Sequence, residues 1–444
     1  MQRFAVIGAG AAGLCAAKHL LAQGIEPVIF EIGSQIGGLW VYENDNGRSS
    51  AYRSLHINSE ARVSSFQDFP FPDDAPLYPD HADMKQYFRD YAERFDLLRR
   101  IRFNSPVVTV EPAAAKLEAA KLEAAGPGAG GLTVRLADGT AEVFDGVVAA
   151  SGHQSDPRDP AETAGFTGEY LHAHHYRVPE PFAGKRVLVI GPGNSGVDVA
   201  ADICTVTAHT VLCARSPVLI MSRMMFGVPN SRTLMKIEKP WVPWPIRIWA
   251  RAFLTRVFQG RMEQWGFQTP TTRTHPISHP TLISHIAWRR ISVKPGIASI
   301  EGQAVRFVDG SSETFDSIIA ATGYVTNFPY LAPERVPMQG TRPVLYNRVV
   351  HPSVPGLYFV GLFDVSGGSN IRMMDDQSEY VAAIASGRVT LPDAAAMQQS
   401  IAADHEWSAK QFPDRPRYGL ELDPVRYRKL LAREYARAAK ERAA

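Results

Sequence analysis

The feature that most constrains this chain is an internal repeat. Residues 3–31 read RFAVIGAGAAGLCAAKHLLAQGIEPVIFE, and residues 186–215 read RVLVIGPGNSGVDVAADICTVTAHTVLCAR. Each is an apolar strand pattern, a Gly-x-Gly-x-x-Gly turn, a helical pattern, a second apolar strand and a charged residue. Gly8 and Gly191 permit a tight turn, and Gly10 and Gly193 let the backbone approach a pyrophosphate. Gly13 and Gly196 let the helix pack closely on the strand. The helix then offers unpaired N–H groups to the phosphates, at Ala11 and Ala12 in the first unit and Asn194 and Ser195 in the second.

The terminal charges separate the two units. Glu31 lies 23 positions after Gly8 and is suited to accept the hydroxyls of an adenosine ribose, so the first site fits FAD or NAD. Arg215, followed by Ser216, lies 24 positions after Gly191, and a guanidinium suits the 2′-phosphate of NADP. Each unit closes on an Asp-led apolar strand, FDGVVAASGH (144–153) and FDSIIAATGY (315–324). The fold expected is α/β, with two Rossmann-like, three-layer dinucleotide-binding domains, one inserted in the other. The first domain, for FAD or NAD, takes 1–160 and 325–444, and the NADP domain takes 161–324 with a helical insert at about 217–292. A last apolar strand, GLYFVG (356–361), precedes a Gly-rich turn and a helix from about Asp375, whose N-terminus is placed to meet a flavin ring edge.

Composition removes several other classes. With 47 Lys plus Arg against 45 Asp plus Glu, the net charge of +2 argues against a nucleic-acid blanket. No apolar run reaches the ~18 residues of a spanning helix, and the N-terminus does not read as a secretory signal. Cys15, Cys204 and Cys213 form no CxxC, which excludes a redox dithiol and reads as small buried side chains in a reducing cytoplasm. His172, His174 and His175 lack a second ligand cluster, so no metal is expected. The duplication KLEAA-KLEAA within 113–131 reads as a helical extension on a hairpin tip.

These residues, taken with further segments, resemble the flavin-containing monooxygenases. Phe166-x-Gly168-x-x-x-His172-x-x-x-Tyr176 matches that family's fingerprint, and Gly37-Gly38-Leu39-Trp40 its GGxW segment. HINSEARVSSFQDFPFP (56–72), GPGNSG (191–196), RSP with LIMSR (215–223), VKPGI through FVDG (293–310) and ATGY (321–324) follow in family order. The chain departs from the pattern at Ile57, where the family has Thr, and at Ala61 and Arg62, where it has a Lys-Glu or similar pair.

The resemblance implies an NADPH- and O2-dependent monooxygenase that forms a C4a-hydroperoxyflavin and oxygenates a small soft nucleophile at nitrogen or sulfur. It places FAD on Gly8, Gly10, Ala11, Ala12, Gly13, Glu31, Gly38, Leu39, Trp40, Asn58, Ser59 and Gln377, the last near the ring. It places NADPH on Gly191, Gly193, Asn194, Ser195, Gly196, Arg215 and Ser216. Asn58 is the implied catalytic residue, an amide that donates a hydrogen bond without titrating. The histidines of the fingerprint order the linker into the NADP domain. Alternatives remain: Baeyer–Villiger oxygenation of a ketone, with Arg372 as its arginine; oxidative decarboxylation of a 2-oxo acid; an uncoupled NADPH oxidase; and a non-catalytic flavin-binding regulator.

The insert has its own character. From Pro245 the pattern is helical, with Trp249, Phe253 and Val257 on one face and Arg247, Arg251 and Thr255 on another. Trp241, Trp244 and Trp249 lie among arginines, and no acid falls between Glu238 and Glu263. Packing against the core or the substrate channel is the preferred reading, ahead of membrane-surface contact through 239–262 and a homodimer contact. The C-terminal stretch reads as a solvated surface helix.

Overall fold

The computed structural model describes residues 1–113, 131–237, 241–275, 277–365, 368–412 and 415–443. The first repeat folds as β1 (Arg3–Ile7), α1 (Ala11–Ala22) and β2 (Glu26–Phe30). Strand β1 is apolar throughout because both of its faces are covered: Phe4, Ala5, Val6 and Ile7 are all buried. It sits at the centre of a five-stranded parallel sheet, ordered 357–359, 146–149, β1, β2, 101–102.

The second repeat folds likewise as β3 (Arg186–Ile190), α2 (Asn194–Ile203) and β4 (His209–Cys213). Its parallel sheet is ordered 291–294, β4, β3, 317–320, 169–172. All of these strands lie in the chain between those of the first sheet. The outgoing and returning segments meet as an antiparallel pair, with Pro157 opposite Tyr324 and Asp156 opposite Val325.

The Asp that leads each closing strand has a definite task. Asp145 accepts the N–H of Arg3 at 2.8 Å, and Asp316 accepts the N–H of Arg186 at 2.8 Å. Each carboxylate thus satisfies a backbone donor at the start of its neighbour strand and fixes the register of the pair.

Two strands, Val107–Pro112 and Leu132–Leu136, pair as the expected hairpin. Its tip at 114–130, where a helical extension was expected, lies outside the described residues. The insert carries α3 (Asn230–Ile237) and α4 (Trp244–Gln259). Helix α4 turns its Trp249 stripe outward and packs through the other face, which the four-residue spacing left open. Trp249, Phe253, Val257 and Ile246 are more than half exposed, while Arg247, Arg251 and Thr255 are buried. The arginine stems pack inward and the Arg247 Nε donates to the Val242 carbonyl at 2.8 Å.

The last long elements are α5 (Asn370–Ala385) and a helix over Pro424–Ala443. Helix α5 begins at Asn370, earlier than Asp375, because Ser369 caps it by accepting the N–H of Arg372. The C-terminal helix is only partly solvated: Tyr427, Leu431 and Ala438 are buried, and the Tyr427 hydroxyl donates to the Asn347 carbonyl. The three cysteines are buried and free. Cys15, expected among apolar neighbours, instead donates to Asp375 at 3.1 Å, where His19 also bonds at 2.7 Å, tying α1 to α5. Burial pushes its thiol well above the usual range.

Candidate functional site

The two glycine turns have the same internal geometry. Gly8 has φ +107° and Gly191 has φ +105°, a region that disfavours a side chain. A Cβ on Gly8 would lie 2.7 Å from the Ala150 carbonyl oxygen, and one on Gly191 2.6 Å from that of Ala321. Ala150 and Ala321 directly follow the equivalent closing strands. A Cβ on Gly13 or Gly196 would lie 1.9 Å from the carbonyl oxygen of Gly8 or Gly191, so each helix can approach its strand only with glycine there. Gly193 differs: a Cβ there would meet nothing within 4 Å, which leaves open the approach a pyrophosphate needs. Gly10 faces the backbone of Gly38, 3.5 Å from the place of its Cβ, at the start of the Gly38–Trp40 turn.

Both turns open on one cavity of about 1190 Å³. Ala11, Leu39, Trp40, Asn58 and Ser59 line it from the first unit, and Gly191, Gly193, Asn194, Ser195, Arg215 and Ser216 from the second. Gly8, Gly10, Ala12, Gly13, Gly38, Gly196 and Glu31 stand behind this wall. Glu31 is buried at the end of β2 and accepts the N–H of Ala9 at 2.7 Å and of Gly33 at 2.9 Å. Burial holds its carboxyl above the usual range despite these donors. The Asn46 Nδ2 also donates to Oε1 at 3.5 Å, and Oε2 retains a second lone pair for a ribose hydroxyl.

Asn58 is held by a residue that motif reading did not single out. The Arg223 Nη2 donates to the Asn58 Oδ1 at 3.0 Å. The guanidinium lies over the Tyr78 ring, 5.5 Å from its centroid, and the Tyr78 hydroxyl donates to the Arg223 carbonyl at 2.9 Å. Arginine has no acceptor, so this contact fixes the amide oxygen toward Arg223 and places the amide nitrogen on the opposite edge. The segment LIMSR marked the place, but only the fold shows that its arginine meets Asn58.

Beside it, half-buried Asp198 accepts the Tyr52 hydroxyl at 2.6 Å and lies 3.3 Å from the His279 Nε2. Burial raises the Asp198 carboxyl and pushes the Tyr52 phenol well up. The His279 Nδ1 accepts the N–H groups of Thr281 and Leu282, at 3.2 and 2.9 Å, and so carries no proton. Burial, with Arg223 nearby, lowers this histidine to about 3.

Two expectations are corrected. Gln377 does not reach the cavity: it is fully buried, accepts the Gly361 N–H at 2.9 Å and donates to the Arg348 carbonyl at 3.3 Å. Ser369, Asn370 and Ile371, at the start of α5, line the cavity instead. Arg372 also stays outside the cavity lining, with its Nη2 on the Arg62 carbonyl at 2.9 Å. In the fingerprint, the His174 Nε2 bonds the Gly47 carbonyl at 2.9 Å and the Tyr176 hydroxyl donates to Asp202 at 2.6 Å. These bonds tie the linker to both units.

A family model described as flavin-binding monooxygenase-like matches residues 1–437. Flavin-containing monooxygenase 5 of Oryctolagus cuniculus is 32% identical over 446 residues, covering 96% of this chain and 81% of the relative. Among solved structures, S-allyl-L-cysteine S-oxygenase from Allium sativum superposes with TM-score 0.72 at 25% identity, covering 98% of this chain and 88% of that one. Cyclohexanone monooxygenase from Rhodococcus sp. Phi1 shares the fold, with TM-score 0.69 at 17% identity and 98% of each chain covered. The chain belongs to the flavin-containing monooxygenase family. It is an NADPH-dependent oxidoreductase whose cofactors are FAD and NADPH.

Proposed function

We propose that this protein uses NADPH and O2 to oxygenate a small molecule at a soft nitrogen or sulfur atom. The observation that carries this reading is the single cavity onto which both glycine turns open, with Asn58 in its wall. FAD, when bound, supplies the redox and oxygen chemistry once NADPH has delivered its hydride. The residues of the chain orient and shield. The two helix N-termini receive the pyrophosphates, Glu31 receives the ribose of FAD, and Arg215 with Ser216 receives the 2′-phosphate of NADPH. Asn58, with its oxygen committed to Arg223, presents N–H donors to the reacting space. The division into 1–160 with 325–444 and 161–324 is proposed on the same ground, since each part carries one turn.

A second reading has one observation behind it. Oxygen insertion beside a ketone calls for a fixed positive charge near the reacting oxygen, and Arg223, not Arg372, stands next to Asn58. The deciding experiment supplies amines, sulfides, ketones and 2-oxo acids with NADPH and isotopically heavy O2. One labelled oxygen on nitrogen or sulfur supports the proposal. An ester from a ketone supports the second reading, and loss of CO2 supports oxidative decarboxylation. Peroxide alone, with no substrate oxygenated, identifies an NADPH oxidase and defeats both.

Among the described residues no helix is long and apolar enough to cross a membrane. The outward apolar face of α4 supports contact with an anionic membrane surface, since Trp249, Phe253 and Val257 are more than half exposed and Arg256 and Arg261 are exposed toward its C-terminal end. Sedimentation with anionic vesicles, reversed by salt, tests this; a salt-independent dimer without lipid would assign the face to a second copy instead. Three free, buried thiols accord with a cytoplasmic location.

A further inference from the structure

Arg215 alone is a weak reader of a phosphate. Its side chain is 78% exposed, and its Nη1 lies 3.6 Å from the Glu162 carboxylate. Its stem is braced against Gly296, where a Cβ would come within 3.2 Å of the Arg215 Cγ. A dianionic phosphate brought to this arginine alone would also meet Glu162.

A second arginine reaches the same end of the cavity from elsewhere in the chain. Arg415, in the segment between α5 and the C-terminal helix, donates from Nη1 to the Ser216 hydroxyl at 2.5 Å. It lines the cavity together with Arg215 and Ser216. The acids nearby are accounted for: Glu162 faces Arg215, Asp364 lies 3.6 Å from His153, and Glu421 lies 3.0 Å from His275. Among the described residues, no carboxylate stands within ion-pair distance of Arg415. Its recorded partner is a neutral hydroxyl, itself a group suited to bond a phosphate oxygen.

We infer that Arg415 is a second reader of the NADPH 2′-phosphate, closing on it from outside the NADP unit and opposite Arg215. This rests on the reading of Arg215 and Ser216 as the 2′-phosphate site. Two guanidinium forks on one phosphate outweigh the opposing Glu162 carboxylate, and the phosphate becomes a bridge between the C-terminal segment and β4. Discrimination of NADPH from NADH is then shared between residues some 200 positions apart.

The test measures equilibrium binding of NADP+ and NAD+ to the FAD-loaded full chain, by titration calorimetry, for wild type, Arg215→Ala, Arg415→Ala and Arg415→Lys. Arg415→Ala is expected to weaken NADP+ by about 10- to 100-fold while leaving NAD+ within about twofold. Unchanged NAD+ affinity also shows that the variant is folded. Arg415→Lys should recover part of the loss, and the salt dependence of NADP+ binding should flatten in Arg415→Ala. Equal weakening of both nucleotides, or no change in either, overturns the inference and leaves the role of Arg215 standing. A wild-type protein that binds NADP+ and NAD+ equally overturns both.

Discussion

The Arg223 guanidinium and the Asn58 amide oxygen are 3.0 Å apart, although the residues are separated by 165 positions in the chain. The contact joins the start of the insert to the wall of the cofactor cavity. It orders the Asn58 amide, which the proposed function sets before nicotinamide and substrate.

Loss of that contact should show as lost coupling. Arg223→Met is expected to lower product per NADPH by about tenfold and to raise H2O2 correspondingly, the effect of one charge-assisted hydrogen bond. Arg223→Lys should recover part of it, and Asn58→Ala with Arg223→Met should be little worse than Asn58→Ala alone. Peroxide and product are quantified against NADPH consumed; additive losses in the double variant would separate the two residues.

The glycines of the second turn should divide into two kinds. Gly196→Ala puts a methyl 1.9 Å from a backbone oxygen and should cost several kcal/mol or abolish folding, read by thermal melting. Gly193→Ala meets no protein atom, so melting should stay within about 0.5–1 kcal/mol of wild type. Its NADPH KM should still rise by at least about tenfold, because the methyl occupies the pyrophosphate's approach.

Acid should destabilise the fold through His279. This histidine is near 6.5 when unfolded and held at about 3 when folded, because burial disfavours its charged form and its Nδ1 accepts two backbone N–H groups. The unfolded chain therefore takes up a proton below about pH 6.5 that the native state refuses until about pH 3. Its contribution is fully present above pH 6.5 and is lost as pH falls across that window. The pH dependence of urea unfolding should be shallower in His279→Gln between pH 6.5 and 4; an unchanged slope removes His279 from the acid response.

Helix α4 supplies a test of which face is inside. Trp249→Gln should change stability by no more than about 0.5 kcal/mol, since the ring is 66% exposed. Arg251→Ala should cost about 2 kcal/mol or more, because its stem and charged head are buried. The reverse ranking in urea unfolding would mean that the helix is rotated.

What the chain discloses and what it hides divide along physical lines. The two turns were legible because their glycine spacing is a local pattern: Gly13 answers to the Gly8 carbonyl within one strand–helix unit, although Gly8 itself answers to Ala150 on the distant closing strand. The leading Asp145 and Asp316 were visible as letters, and the fold supplied their task. The orientation of α4 was not legible, since a four-residue spacing separates two faces without saying which is buried. Long arginine stems fill a core as well as a leucine does. Gln377 was misplaced because the helix begins at Asn370, about two turns before it, so its amide lies within the helix and serves the Gly361 and Arg348 backbone. Arg223 and Arg415 act through tertiary contacts 165 and 199 positions long, which no local pattern encodes.

The paired segments at 156–157 and 324–325 have one more consequence. Because the chain departs and returns through neighbouring residues only about 5 Å apart, the whole second nucleotide unit is a closed excursion from the first. A graft that swaps 158–323 for another unit with adjacent ends would leave the host sheet in register. Coenzyme choice could thereby be transplanted as a cassette, provided the tail that carries Arg415 travels with it.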